Sequence, residues 1–342
     1  SWSSCVNQYS HGGDVESFAQ QLACDVNEVI DLSSNINFIK PQINVDFNEL
    51  DISAYPSYKK LYETIASNYK VEVNEFELFN GGSSAIFSLF RHLNLKHCTL
   101  YSPAYLEYKK AAMLFSYRMS HINRLNILEQ IVEENSFVIF VNPSTPDGQL
   151  YDINILMQYW MSQNCTILVD ESFLDFTNGE SMIKYIKEYD KLYILKSMTK
   201  FYSSAGIRIG ALLSSEKNIS ELKKNEPMWK LSHFDSIYLQ EALNDKSFRS
   251  ISKSINAKNS IFLDRILRES SLFLKVFDSN ANFILAQLKN MTASQFQEKL
   301  LPYKILIRDC SNFDFLDSSY VRIAVKSEKN LKQLQLALIS IS

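Results

Sequence analysis

Ile167-Leu168-Val169-Asp170-Glu171 and Leu192-Tyr193-Ile194-Leu195, the latter running through Lys196 into Ser197-Met198-Thr199-Lys200, decide how this chain is read. Each apolar run has the length of a strand and ends in polar, chemically capable residues. Working outward, His97–Tyr101, Phe137–Val141, Thr166–Val169 and Ile207–Leu213 are runs of the same kind, and helical stretches separate several of them. Continuous apolar runs joined by helices predict an α/β fold with a mostly parallel sheet covered on both faces. Ligands of such sheets bind beyond the carboxyl ends of the strands. Ser102-Pro103, Asn142-Pro143, Asp170-Glu171 and Ser197 to Lys200 all stand at those ends.

After about residue 235 the pattern changes. Ile251, Ile255, Phe262 and Ile266 predict one long helix, and strand-like runs follow at Phe283–Ala286, Lys304–Ile307 and Tyr320–Val325. Leu331, Leu334 and Leu338 mark one face of a final helix. The expected organisation is an arm over residues 1–45 packing on the small domain, a large domain over 46–240, and a small α+β domain over 241–342.

The composition excludes several classes. With 342 residues, 21% charged and 46% hydrophobic, the chain has the makeup of a folded globular protein. Its net charge of −3 gives no reason to expect nucleic acid or an anionic membrane as partner. No apolar run approaches the roughly 18 residues of a membrane span, and no secretory leader is visible at the start. Cys5, Cys24, Cys98, Cys165 and Cys310 are odd in number and scattered, the pattern of free thiols in a reducing cytoplasm, with no metal-ligand spacing among them. Glycine numbers only 8, about 2% where roughly 7% is usual, so each is expected where no other residue serves. All but Gly179 fall in the segments that carry chemistry.

Gly81-Gly82-Ser83-Ser84 leads into the apolar helical run Ala85–Leu93, where backbone N–H groups and hydroxyls can cradle a phosphate. A serine-capped helix after a turn is the plainer alternative. Asp170 ends an apolar strand, and a buried carboxylate requires a donor or cation: a protonated pyridine nitrogen, an arginine or a metal ion. Lys200, in a strand-end loop, can form a Schiff base and shuttle protons, and Arg208 can hold a phosphate bidentately. Taken alone, Lys200 reads first as a solvated surface charge. Ser-x-x-Lys also occurs in β-lactamases, but the Ser-Asp-Asn and Lys-Thr-Gly triplets those enzymes need do not occur here.

In this order, with Pro103-Ala104-Tyr105 and Asn142-Pro143 between, the segments resemble the fold-type I, aspartate-aminotransferase-like enzymes that use pyridoxal 5′-phosphate. The resemblance spans nearly the whole chain. It implies that Lys200 forms the internal aldimine, Asp170 pairs with the pyridine nitrogen and Tyr105 stacks on the ring. It also implies that Gly82, Ser83, Ser84, Ser197, Thr199 and Arg208 hold the cofactor phosphate. Tyr55, in Ala54-Tyr55-Pro56, matches a tyrosine that reaches the phosphate from a partner subunit, so a homodimer with shared sites is implied. Two positions depart from the family pattern: Thr145 stands where an Asn usually meets the ring hydroxyl, and Phe173 where a Tyr is common.

His11-Gly12-Gly13-Asp14, Asp31 to Asn37 and Ile305 to Phe313 resemble, within that family, the decarboxylases of threonine or serine phosphate. The resemblance implies that Arg322 takes the α-carboxylate, and that Arg308, His11 and Asn35 take the substrate phosphate. It implies decarboxylation of an O-phosphorylated L-amino acid, O-phospho-L-serine being favoured over the threonine ester. A histidinol-phosphate-type aminotransferase and a catalytically silent pyridoxal-phosphate-binding protein are the alternatives.

Overall fold

The computed structural model describes residues 11–342; Cys5 lies outside them. Residues Ile30–Asp31 form a short strand, β1, and seven further strands build the larger sheet. These are β2 (Phe76–Phe79), β3 (His97–Ser102), β4 (Arg118–Asn123), β5 (Phe137–Val141), β6 (Thr166–Asp170), β7 (Leu192–Lys196) and β8 (Gly210–Leu213). They lie in the order β2-β8-β7-β6-β5-β3-β4. Only β8 runs antiparallel to its neighbours; β7, β6, β5, β3 and β4 pair in parallel.

The two-residue period of a strand sorts the side chains into two cores. Val138, Phe140, Ile167, Val169 and Ile194 point to one face, beneath the helices Lys59–Tyr69 and Asn154–Ser162. Phe137, Ile139, Leu168, Tyr193 and Leu195 point to the other, beneath Gly82–Leu93 and Glu107–Leu114. With both faces covered, β5 and β7 are buried along their whole length, which is why they read as unbroken apolar runs.

The smaller sheet has four strands: β9 (Phe273–Val276), β10 (Phe283–Leu288), β12 (Arg308–Asp309) and β13 (Tyr320–Ala324), all antiparallel in the order β12-β13-β10-β9. Between β10 and β12, β11 (Ile305–Leu306) pairs in parallel with β1. Leu32, just after β1, is fully buried in this sheet's core with Leu263, Ile323 and Leu334. Among the described residues no helix is long and apolar enough to cross a membrane.

Four expectations change. The run Ile207–Leu213 is a strand only from Gly210, because Ile207 is held in a turn by its N–H to Ser204. Lys304–Ile307 divides: Ile305 and Leu306 pair with β1, whereas Arg308 turns to pair with β13. The long helix exists, as Phe248–Glu269, but Ile251 and Ile255 are exposed and its first three turns and middle bury Ser252, Asn256 and Asn259. That face meets polar groups, since Asn259 Nδ2 donates to the Lys326 carbonyl and Asn256 Nδ2 to the side-chain Oδ1 of Asn37. Glycine scarcity does not make every glycine necessary: a Cβ on Gly206 would meet nothing within 4 Å.

Candidate active site

At the carboxyl ends of β5, β6 and β7 lies a cavity of about 350 Å³, walled on its far side by the smaller sheet and by residues 33–36. Its floor comes from the larger sheet. Asp170 ends β6 and is 4% exposed. One carboxylate oxygen accepts from the Ser172 N–H (3.0 Å) and hydroxyl (2.5 Å), and the other from the Tyr108 hydroxyl (2.6 Å). Among the described residues no cation lies within ion-pair distance of it. A buried carboxylate served only by neutral donors remains able to meet a positive charge in the cavity. Burial, and then the charge on Asp170, push the Tyr108 phenol well above its ordinary pKa, so it stays a donor.

Lys200 sits in the four-residue helix Met198–Phe201 that follows β7. Its Nζ donates to Ser197 Oγ at 3.1 Å and lies 5.7 Å from the centre of the Phe173 ring. Burial lowers its pKa; Asp170 opposes this, whereas Arg208 and Arg322 reinforce it. An amine pushed toward its neutral form is a better nucleophile and proton acceptor.

Above this floor the helix Gly82–Leu93 aims its N-terminus at the cavity, where Gly82 and Ser83 line the wall. Gly81 has φ +94, and a Cβ there would stand 2.5 Å from an Arg208 nitrogen. A Cβ on Gly210 would stand 2.8 Å from the Gly82 backbone. These two glycines let β8 and Arg208 close against the helix start. The N–H groups of the helix start, Ser197 and a guanidinium then share one corner, the donor set an anion requires. Tyr105 bonds through its hydroxyl to Ser83 Oγ at 2.9 Å, and its ring faces that of His11 at 5.3 Å. His11 Nε2 is 3.1 Å from Glu107 Oε1.

The opposite wall carries Arg308 and Arg322, direct partners across β12 and β13. They are 6% and 7% exposed. Arg308 lies 5.0 Å from the Phe313 ring centre and donates to Asn312 Oδ1 (3.1 Å) and to the Asp309 carbonyl. Arg322 donates to the Ser33 carbonyl at 3.1 Å, and among the described residues its Nε has no hydrogen-bond partner. Burial lowers both guanidinium pKa values, that of Arg322 to about 10. Two buried guanidiniums side by side form a strong site for an anionic ligand.

All of the sequence-selected residues except Ser84, Thr199 and Tyr55 line this cavity. Ser84 is exposed, because the turn of the helix that brings Ser83 to the wall carries its neighbour away. Thr199 is buried with its hydroxyl 3.4 Å from Ser197 Oγ. Tyr55 is 77% exposed and stacks on Trp229 at 4.3 Å. Thr145 lines the cavity while its carbonyl accepts from Arg124, which a buried pair with Asp147 (2.7 Å) fixes in place. Sequence reasoning missed Tyr108 and Ser172. Tyr108 had a signal: it stands one helical turn after Tyr105, on the same side of the chain.

The model of the family described as aminotransferase class I and II matches residues 22–338. The chain belongs to that family. Within this aminotransferase class I and II family, it is 31% identical to a protein of Caldanaerobacter subterraneus subsp. tengcongensis assigned as a threonine-phosphate decarboxylase, over 95% of this chain and 92% of that one. It is 28% identical to the solved histidinol-phosphate aminotransferase from Clostridium acetobutylicum, covering 91% of this chain and 98% of that one at a TM-score of 0.81. The histidinol-phosphate aminotransferase from Sinorhizobium meliloti, solved in complex with pyridoxal 5′-phosphate, shares the fold at a TM-score of 0.81 and 15% identity, over 97% and 96% of the two chains. The family's cofactor is pyridoxal 5′-phosphate, and the cavity fits it. A buried carboxylate, an amine held toward neutrality and an N–H-lined anion corner at a helix start are the three fixtures that the pyridine nitrogen, the aldehyde and the phosphate of that molecule need.

Proposed function

We propose that the chain decarboxylates an O-phosphorylated L-amino acid, and that the paired guanidiniums of Arg308 and Arg322 carry this reading. Such a substrate has a phosphate and a carboxylate separated by a few bonds, and two adjacent buried cations on the wall opposite Lys200 match that pair of charges. Arg322 takes the α-carboxylate. Arg308, with His11 and Asn35, takes the substrate phosphate. On the other side Gly82, Ser83, Ser197 and Arg208 hold the cofactor phosphate, Asp170 holds its ring nitrogen in the protonated form, and Tyr105 packs on the ring.

Bound in this way, pyridoxal phosphate would supply an electron sink for the bond broken at the substrate Cα. The protein's part is orientation and proton transfer. Arg308 and Arg322 would set the orientation of the bound substrate, and with it which group on Cα is presented for cleavage; in this reading the carboxylate leaves as carbon dioxide. Lys200 Nζ then delivers a proton to the Cα position, and an amino-alcohol phosphate is released.

The 31% identical relative is assigned to threonine phosphate, which supports the threonine ester ahead of the serine ester. The two differ by one methyl group, worth about 1–3 kcal/mol in a pocket. A histidinol-phosphate-type aminotransferase is the second reading, favoured by the Clostridium acetobutylicum likeness. Tyr55 lies outside its own chain's cavity, and we assign it to the phosphate corner of a second copy in a two-fold dimer.

Supplying O-phospho-L-threonine or O-phospho-L-serine with pyridoxal phosphate and no keto acid tests the reading. Carbon dioxide release supports it; glutamate formation that depends on added 2-oxoglutarate supports the second reading and overturns the first.

A further inference from the structure

The helix Met198–Phe201 that carries Lys200 is only one turn long, so none of its carbonyls has to be satisfied from within a longer helix. Their partners can all be named. The Met198 carbonyl accepts from the Tyr202 N–H (3.1 Å) and the Thr199 carbonyl from the Ser204 N–H (2.8 Å). The remaining two are both met by one residue far away in sequence: the Asn37 N–H donates to the Lys200 carbonyl at 2.9 Å, and Asn37 Nδ2 to the Phe201 carbonyl at 2.8 Å.

Asn37 is 1% exposed and does not line the cavity. Its side chain is gripped by the long helix Phe248–Glu269, donating to Ser252 Oγ at 2.5 Å and accepting from Asn256 Nδ2 at 3.0 Å. This explains why that helix buries polar residues at these positions instead of Ile251 and Ile255. The backbone carbonyls just before Asn37 tie the chain to the smaller sheet and its flanks. Ser33 accepts from Arg322, Asn35 from Asn282 Nδ2 (2.8 Å) and Ile36 from Lys326 Nζ (2.7 Å).

We infer that Asn37 is a positioning residue for Lys200, and that residues 33–37 form a strap joining the Arg322 pole of the cavity to the turn that carries the lysine. Two hydrogen bonds to consecutive carbonyls fix both the axial rotation and the height of a one-turn helix, and so the point from which the Lys200 side chain starts. Ser252 and Asn256 act on Lys200 only through Asn37. The inference rests on Lys200 being the residue that bonds the cofactor; it does not depend on which amino acid is the substrate or which bond breaks.

The test uses the cofactor-loaded protein and Asn37→Ala, Asn256→Ala and the double variant. The first readout is the pH midpoint of the near-visible absorbance change of the lysine-bound cofactor, the second kcat and KM separately, and the third the melting temperature. Displacing a reacting group by about 1 Å costs about 100-fold, so Asn37→Ala should lower kcat about 10- to 100-fold, leave KM within about 3-fold and shift the absorbance midpoint by about half a pH unit or more. Asn256→Ala should act in the same direction but less, and the double variant should be no worse than Asn37→Ala, since coupled residues do not add. If Asn37→Ala does not fold, Asn256→Ala and Ser252→Ala carry the same comparison. A lower melting temperature with unchanged midpoint and kcat, or additive effects in the double variant, overturns the inference. A shifted midpoint in a protein that does not decarboxylate phosphorylated amino acids refutes the proposed reaction and leaves this inference standing.

Discussion

Replacing Arg308 by alanine separates the two anionic contacts assigned to the smaller sheet. The guanidinium is 6% exposed and faces the cavity across from Lys200. Truncating one partner of a buried charge pair costs about 2–5 kcal/mol, most of it from the charge left behind. At 1.4 kcal/mol per tenfold, kcat/KM for the phosphorylated amino acid should fall about 30- to 4,000-fold. Arg308→Lys keeps the charge but loses the planar fork and its contact with the Phe313 ring, so it should fall between wild type and alanine. Unphosphorylated threonine and serine should be affected far less, because they never made the contact. Arg322→Ala should harm phosphorylated and plain amino acids alike, since both keep the α-carboxylate. The assay is steady-state kinetics on both substrate classes, with the cofactor absorbance spectrum as a control for an intact floor. Because Arg308 lowers the pKa of its neighbour Arg322, losing it also relieves a like-charge contact, so the substrate-free protein should not be grossly destabilised. Equal losses for phosphorylated and plain substrates in Arg308→Ala would refute the assignment of the phosphate to this arginine.

Tyr108→Phe removes one donor to the Asp170 carboxylate while keeping the packing of the ring; a hydrogen bond to a charged group contributes about 1.5–3 kcal/mol, so weaker cofactor retention and a roughly 10- to 100-fold lower kcat are expected, checked by dialysis and steady-state rates. Arg124→Met breaks the buried pair with Asp147 beneath the Thr145 loop and should destabilise the chain by about 3–5 kcal/mol, read from the urea midpoint; a change under about 1 kcal/mol would contradict the burial. Burial lowers the Lys326 amine from 10.5 to about 8. Between those values the unfolded chain holds a proton that the folded chain has released, so this group makes stability rise with pH across that window. The stability of wild type minus that of Lys326→Met should therefore climb from pH 8 to 10.5, and a flat difference would contradict it.

The central strands were legible because burial on both faces leaves β5, β6 and β7 unbroken apolar runs, and Asp170 and Lys200 stand at their ends where a site belongs. β4 escaped notice because it is an edge strand with exposed and half-buried residues alternating, and the Arg118-Met119-Ser120-His121 sequence reads as loop. The arginines were visible as residue types. Their direct pairing was not, because it depends on Lys304–Ile307 splitting so that Arg308 comes into register with Arg322. Asn37 was invisible as a site residue because it acts through hydrogen bonds to groups far along the chain, which no periodicity or spacing records; the spacing of Tyr108 from Tyr105 hinted at its side of the helix but not at its bond to Asp170. Ser84 shows the converse, a motif member whose helical position carries it away from the cavity.

Which bond breaks at Cα is decided most directly by proton NMR of the reaction run in deuterium oxide, with O-phospho-L-threonine and O-phospho-L-serine in parallel and no keto acid present. The account predicts an amino-alcohol phosphate carrying one deuterium on the carbon that bore the carboxylate, formed with an equal amount of carbon dioxide. Recovery of the starting amino acid with deuterium at Cα and its carboxylate intact would contradict it, because the Cα–H bond would then be the one held for cleavage.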